Sequence, residues 1–134
     1  MSTQIFVNLP VKALQQATDF YVGLGYSKNP EFSDDNAACI VVNEHICVML
    51  LVERFFRTFT KKEICDSSTH TEAILALSAD SRQDVDALVN MAAAAGGRPS
   101  EESMDQGGMY SRSFQDLDGH HWEVFWMDQA AAEQ

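Results

Sequence analysis

The chain has 134 residues, a length that fits one domain able to bury a core without disulfides or a structural metal. Its 20 acidic residues against 9 basic ones give a net charge of −11, which argues against a nucleic-acid backbone or an anionic membrane surface as partner. An apolar content of 46% excludes a disordered polyelectrolyte, and no run of about 18 apolar residues is present to span a bilayer.

Residues 1–10 lack the charged-then-apolar pattern of a signal peptide. Cys39, Cys47 and Cys65 stand at unrelated spacings with no C-x-x-C pair, and an odd count forbids a full disulfide framework. The expectation is a cytoplasmic protein with free, buried thiols.

In chain order, residues 5–9 predict a strand that Pro10 ends. Ala13, Leu14, Ala17, Phe20, Tyr21 and Leu24 recur at helical spacing, and Gly23 and Gly25 supply the stop, although no capping residue precedes Val11. A weak strand over 26–32 follows, then stronger ones over 38–42 and 46–52, with Asn43 and Glu44 making a tight hairpin. Residues 53–70 mix charges, Thr and the rings of Phe55, Phe56 and Phe59, and read as a connector with a short helical piece.

The order then repeats. Residues 73–77 predict a strand, and Ser81 with Asp84 three residues on resembles a capping box. Val85, Leu88, Val89, Ala92 and Ala95 form the stripe of a second helix, which Gly96 and Gly97 terminate. Strands are expected over 98–101, 110–115 and 121–127, with a flexible loop at 105–108 and a tight turn at 116–119. The whole reads as one α+β domain over 1–134 built from two βαβββ modules, 4–52 and 71–128, joined by the connector 53–70. Two such modules predict a curved half-barrel sheet around a cavity, with the helices outside, and a concavity of that kind suits a small molecule.

The string Phe6-Val7-Asn8-Leu9-Pro10-Val11, followed by Phe20-Tyr21-Val22-Gly23-Leu24-Gly25, and the string Asp116-Leu117-Asp118-Gly119-His120-His121-Trp122-Glu123 carry a resemblance. Together they resemble the vicinal oxygen chelate superfamily of glyoxalases, extradiol dioxygenases, fosfomycin-resistance enzymes and bleomycin-resistance proteins. The chain looks most like the branch labelled "predicted lactoylglutathione lyase". The second string is similar to the family's D-P-D-G-x-x-x-E ending, with Leu117 in place of the proline.

The resemblance implies that a divalent metal, where one is used, is held at Phe6, Met49, Ile74 and Glu123. Of these only Glu123 offers a donor for a hard or borderline ion, and the thioether of Met49 suits soft copper(I). The expectation is therefore no metal and no cofactor, with a divalent metal as the alternative. A displaced site made of His45, Glu72, His121 and Glu123 is the alternative, with Glu72 and His121 two residues, about 6.6 Å along a strand, from the usual positions and His45 four residues from Met49.

The expected function is a binder that sequesters a largely apolar small molecule in a site lined by Phe6, Met49, Ile74, His121, Glu123 and Phe125. The alternative is a lyase, isomerase or dioxygenase of the same superfamily, metal-dependent or with Glu123 as catalytic base, its pKa raised by desolvation. Glu123 has a structural reading too, paired with His121, Ser111, Ser113 or Arg112. Arg112 is the one candidate cation for the cavity. Cys47 shares strand parity with Met49 and is a conceivable nucleophile without an identified base. Trp122 and Trp126 read as core. The resemblance also implies a homodimer.

Overall fold

A computed structural model describes residues 2–128. The chain divides into two compact units, Met1–Asp66 and Ser67–Gln134.

The first unit runs β1 (Ile5–Val11), α1 (Leu14–Gly23), β2 (Ser27–Asn29), β3 (Ala37–Val41) and β4 (Ile46–Val52), then α2 (Glu53–Phe56). Its sheet has the order β1-β4-β3-β2, with β1 parallel to β4 and the other pairs antiparallel. β1 continues through Pro10 to Val11, where the sequence suggested a stop. The physical reason is position: β1 lies at the end of its sheet, and an edge strand tolerates a residue without an N–H. The weak strand over 26–32 shrinks to three residues. Pro30 opens a 3-10 turn instead, and the Asn29 side chain accepts from the Glu31 amide at 3.0 Å.

α1 starts at Ala13 with no side-chain cap, as its sequence implies. It ends where Gly25 takes a φ of +99°, a left-handed conformation natural to glycine. Ala17, Phe20, Tyr21 and Leu24 are buried, and the Phe20 and Tyr21 rings meet edge to face at 5.0 Å. They cover Val11, Ile40, Val48 and Leu50, each at most 1% exposed. Burial of each such side chain is worth about 1.5–3 kcal/mol. Between β3 and β4 the Asn43 side chain accepts from the amides of His45 and Ile46, which fixes the hairpin turn.

The second unit repeats the plan with β5 (Ile74–Ser78), α3 (Arg82–Ala94), β6 (Arg98–Gln106), β7 (Met109–Gln115) and β8 (His121–Met127). Its sheet order, β5-β8-β7-β6, has the same parallel pair and the same antiparallel pairs as the first. Thus the chain is α+β, with two four-stranded mixed sheets produced by the βαβββ duplication. Ser81 caps α3 by accepting from the Asp84 amide at 3.0 Å. Val85, Val89 and Ala92 of α3 are fully buried with Val124, and the Phe114 and Trp122 rings stack in the same core at 6.4 Å.

β6 runs to Gln106, five residues beyond the expected end, so Asp105 and Gln106 are strand and not flexible loop. The turn is only Gly107-Gly108, both at positive φ, between the paired Gln106 and Met109. Two positive φ values are what a type I′ hairpin turn demands. The 116–119 turn forms as its composition predicts: the Asp116 side chain accepts from the amides of Asp118 and His120. Ser67 Oγ donates to the Asp118 carbonyl at 2.6 Å and ties the end of the connector to that turn. Among the described residues, no helix is long and apolar enough to cross a membrane.

Candidate functional site

Strand alternation sorts the second sheet into two faces. Tyr110 and Arg112 of β7 reach α3, where both donate to Asp86, at 2.6 and 3.0 Å. Phe114 shares their face, as do their cross-strand partners Trp126, Val124 and Trp122. The opposite face carries Ser111 and Ser113 of β7 and His121, Glu123 and Phe125 of β8. Ile74 and Ala76 of β5 share it, paired with His121 and Glu123. So the second unit brings four of the sequence-predicted residues, Ile74, His121, Glu123 and Phe125, onto one surface. Ile74 is 55% exposed there, and the other three are half-buried.

On this surface lies a cleft of about 250 Å³, lined by Ser100 and Ser103 of β6 along with Ser111, Ser113, His121 and Glu123. It borders the place where β6 loses regular register with β7, between Pro99 and Ser103. A bulge of this kind re-aims side chains and opens space beside a sheet. Glu102 adds a second carboxylate to the wall. Met104 and Arg112 also line it, the Arg112 guanidinium being engaged by Asp86, and the hydroxyls and carboxylates suit a ligand group that donates hydrogen bonds.

Arg112 corrects an expectation. The sequence offered it as the cation of the cavity and as a partner for Glu123, but its guanidinium lies on the helix face, on Asp86 and within 3.5 Å of Asn90. The Asp86 carboxyl is held below the ordinary carboxylate range by the Tyr110 hydrogen bond, against the opposing effect of partial burial and with further help from Arg112. On the same face Arg82 sits over the rings of Tyr110 and Trp126, 5.1 and 5.3 Å from their centroids, and grips Asp105 with two hydrogen bonds of 2.6 and 2.9 Å. Trp122 is core, as expected; Trp126 is half-buried and stacks against a cation.

Among the described residues no side chain donates to Glu123. Ser113 stands directly across from it in register without a hydrogen bond. The local pairing proposed for it is not made, and its half-buried carboxylate keeps contact with solvent.

In the first unit Phe6 and Asn8 share a face with Cys47 and Met49, their partners in the parallel ladder. Cys39 stands opposite Met49 on β3. Phe6 is 49% exposed and Met49 half-buried. Cys39 and Cys47 are buried, while Cys65, expected to be buried with them, is only half so. A wider depression of about 450 Å³ lies elsewhere in this unit, near Leu14, Lys28 and Asp34. The Asp34 carboxylate there already accepts from the Asn36 and Ala37 amides.

The offset between paired strands repeats in the two units. Phe6 lies two residues before Asn8, the partner of Met49, and Ile74 lies two residues before Ala76, the partner of Glu123. The duplication therefore supports treating Phe6 with Ile74, and Met49 with Glu123, as equivalent positions. Across those four positions only Glu123 has an oxygen or nitrogen donor in its side chain, and such a set does not fit an octahedral divalent ion. His45 lies in the turn before β4, 3.3 Å from Glu44, and Glu72 is exposed ahead of β5. No group of three His, Cys, Asp or Glu side chains converges among the described residues.

Ser100, Ser103 and Glu102 carry no signal in the sequence, because β6 has no apolar alternation and all its residues are exposed. The signal available for Arg112 was parity: it alternates with Ser111 and Ser113 and matches Phe114, which the structure buries.

Comparison with known proteins agrees with this architecture. A hypothetical protein from S. aureus is 28% identical, with 94% of this chain and 95% of that chain covered at a TM-score of 0.78. A glyoxalase/bleomycin resistance protein/dioxygenase family enzyme from Burkholderia phytofirmans matches at 14% identity and TM-score 0.79, over 95% of this chain and 100% of that one. A fosfomycin resistance protein from Mesorhizobium loti matches at 12% identity and TM-score 0.71, over 100% and 99%. At such identities the last two show the fold alone. No curated protein matches the chain. The model of the Glyoxalase/Bleomycin resistance protein/Dioxygenase superfamily matches residues 4–124, and the chain belongs to that superfamily.

Proposed function

We propose that this protein binds and sequesters a largely apolar small molecule with a hydrogen-bond-donating group, and that its family metal site is degenerate. One feature supports the reading: Phe6, Met49 and Ile74, at three of the four positions where the resemblance implies metal donors, offer no oxygen or nitrogen in their side chains. Ile74 and Phe125 supply apolar surface beside the cleft, and Glu123, His121, Ser111 and Ser113 supply its polar end. A carboxylate without a protein partner gains most from a ligand amine or amide, because a charge-assisted hydrogen bond is stronger than a neutral one. The protein acts as a cytoplasmic homodimer in this reading.

The test is a thermal-shift series of aromatic and aliphatic amines against the carboxylic acids of the same skeletons. Amines should raise Tm and the acids should not, and Glu123→Gln should remove the amine response while leaving the unliganded Tm unchanged. The bound amine should be recovered chemically intact after incubation. Equal responses to amines and acids, or an unaltered response in Glu123→Gln, would refute the proposal.

A further inference from the structure

We propose that Cys39, Cys47 and Met49 form a three-sulfur site for a soft monovalent cation of the copper(I) class, on the sheet of the first unit. The inference goes beyond the ligand-binding reading and uses none of the residues of the cleft.

The register brings the three together. Cys39 on β3 pairs directly with Met49 on β4, and Val41 pairs with Cys47, so all three side chains leave the same face of one antiparallel pair. Directly opposed residues have Cβ atoms about 4.5–5.5 Å apart. Cys47 lies diagonally from Cys39 on the same face. Metal–sulfur bonds of about 2.3 Å set the sulfurs of a three-coordinate centre about 4 Å apart, which three side chains leaving one face of a single strand pair can meet by rotamer choice.

The surroundings select the ion. Cys39 and Cys47 are 1% and 8% exposed, and neither is in a disulfide. Their neighbours on this face are Phe6, Ala37, Val41 and Leu51, together with Asn8, whose amide is turned to its own Phe6 carbonyl at 3.3 Å. A greasy shell with two thiols and a thioether favours copper(I) over magnesium, manganese or nickel. Zinc favours a fourth thiolate, imidazole or carboxylate donor, and the register neighbours on this face are Phe6, Asn8, Ala37, Val41 and Leu51. Cys65 lies in the connector and is no part of the group.

The chemistry balances without an oxidant. One monovalent ion replaces two thiol protons, forms two metal–thiolate bonds and one thioether bond, and leaves a net charge of −1 on the centre. Metal uptake requires both thiols to lose their protons. Uptake therefore strengthens as pH rises.

The experiment is an anaerobic titration of the full chain with copper(I) delivered from a competing chelator, repeated with silver(I) as a redox-inert probe. The expected result is one ion per chain and two protons released per ion. Binding should be lost in Cys39→Ala and in Cys47→Ala, weakened in Met49→Leu and unchanged in Cys65→Ala. Circular dichroism checks that each variant is folded. If either cysteine variant unfolds, proton release by the wild-type protein and the contrast between Met49→Leu and Cys65→Ala carry the test. The proposal is overturned by no uptake at one equivalent, by release of fewer than two protons, or by binding that follows Cys65.

Discussion

The guanidinium of Arg112 lies 3.0 Å from the carboxylate of Asp86, and this pair turns the cation of β7 toward α3 and away from the cleft. The cleft is lined by serine hydroxyls, the His121 imidazole, the Glu102 and Glu123 carboxylates, Met104 and Arg112, whose guanidinium is engaged by Asp86. Inorganic phosphate and simple phosphonates should therefore give no stabilisation at millimolar concentration. A ligand at a hundred times its Kd stabilises by about 2.7 kcal/mol, so a thermal-shift assay would register such binding clearly. A rise of Tm with phosphonate would contradict the orientation of Arg112.

Tyr110 makes the shortest bond to Asp86, at 2.6 Å. Tyr110→Phe should lower stability by about 1 kcal/mol in urea unfolding, a modest value because Asp86 is partly solvated. The pH dependence follows from the depressed carboxyl. The bond contributes fully above the ordinary, unfolded carboxylate value and is lost as pH falls through the lower folded value. The gap between wild type and Tyr110→Phe should thus be constant near neutrality and close in acid. A gap that widens in acid would reverse the assignment.

Gly119 and Gly25 both sit at positive φ, +91° and +99°, but in different surroundings. A Cβ on Gly119 would run into the carbonyl of Ser67, whereas one on Gly25 would meet nothing within 4 Å. Gly25→Ala should lose only the left-handed penalty, about 1–2 kcal/mol. Gly119→Ala adds a backbone clash to that penalty and should lose about 3 kcal/mol or more. Equal losses in chemical denaturation would show that Ser67 does not hold the turn.

The homodimer expectation has its own check. Light scattering at micromolar concentration should give twice the 14.9 kDa chain mass. A monomer mass would remove that part of the proposal.

Much of the fold was legible because the apolar pattern was strong. β4 and β8 span the residues that their runs predicted, and α3 begins at the cap that Ser81 announced. β6 was not legible past residue 101, since Arg98–Gln106 is exposed throughout and has no apolar period to read. Pro10 misled because its effect depends on sheet position, which the sequence does not state. Parity along β8 put His121, Glu123 and Phe125 on one face, but Arg112 was placed without the same parity argument. The approach of Cys39 to Cys47 and Met49 needs the β3–β4 register, which no motif in the chain encodes.

The central claim is that Glu123 does not hold a divalent metal. The direct measurement is elemental analysis of purified protein, wild type and Glu123→Gln, after incubation with nickel, zinc, iron and manganese and removal of the free ions. The account predicts no stoichiometric ion whose retention depends on Glu123. One equivalent of a divalent ion held by the wild type and lost in Glu123→Gln would contradict it.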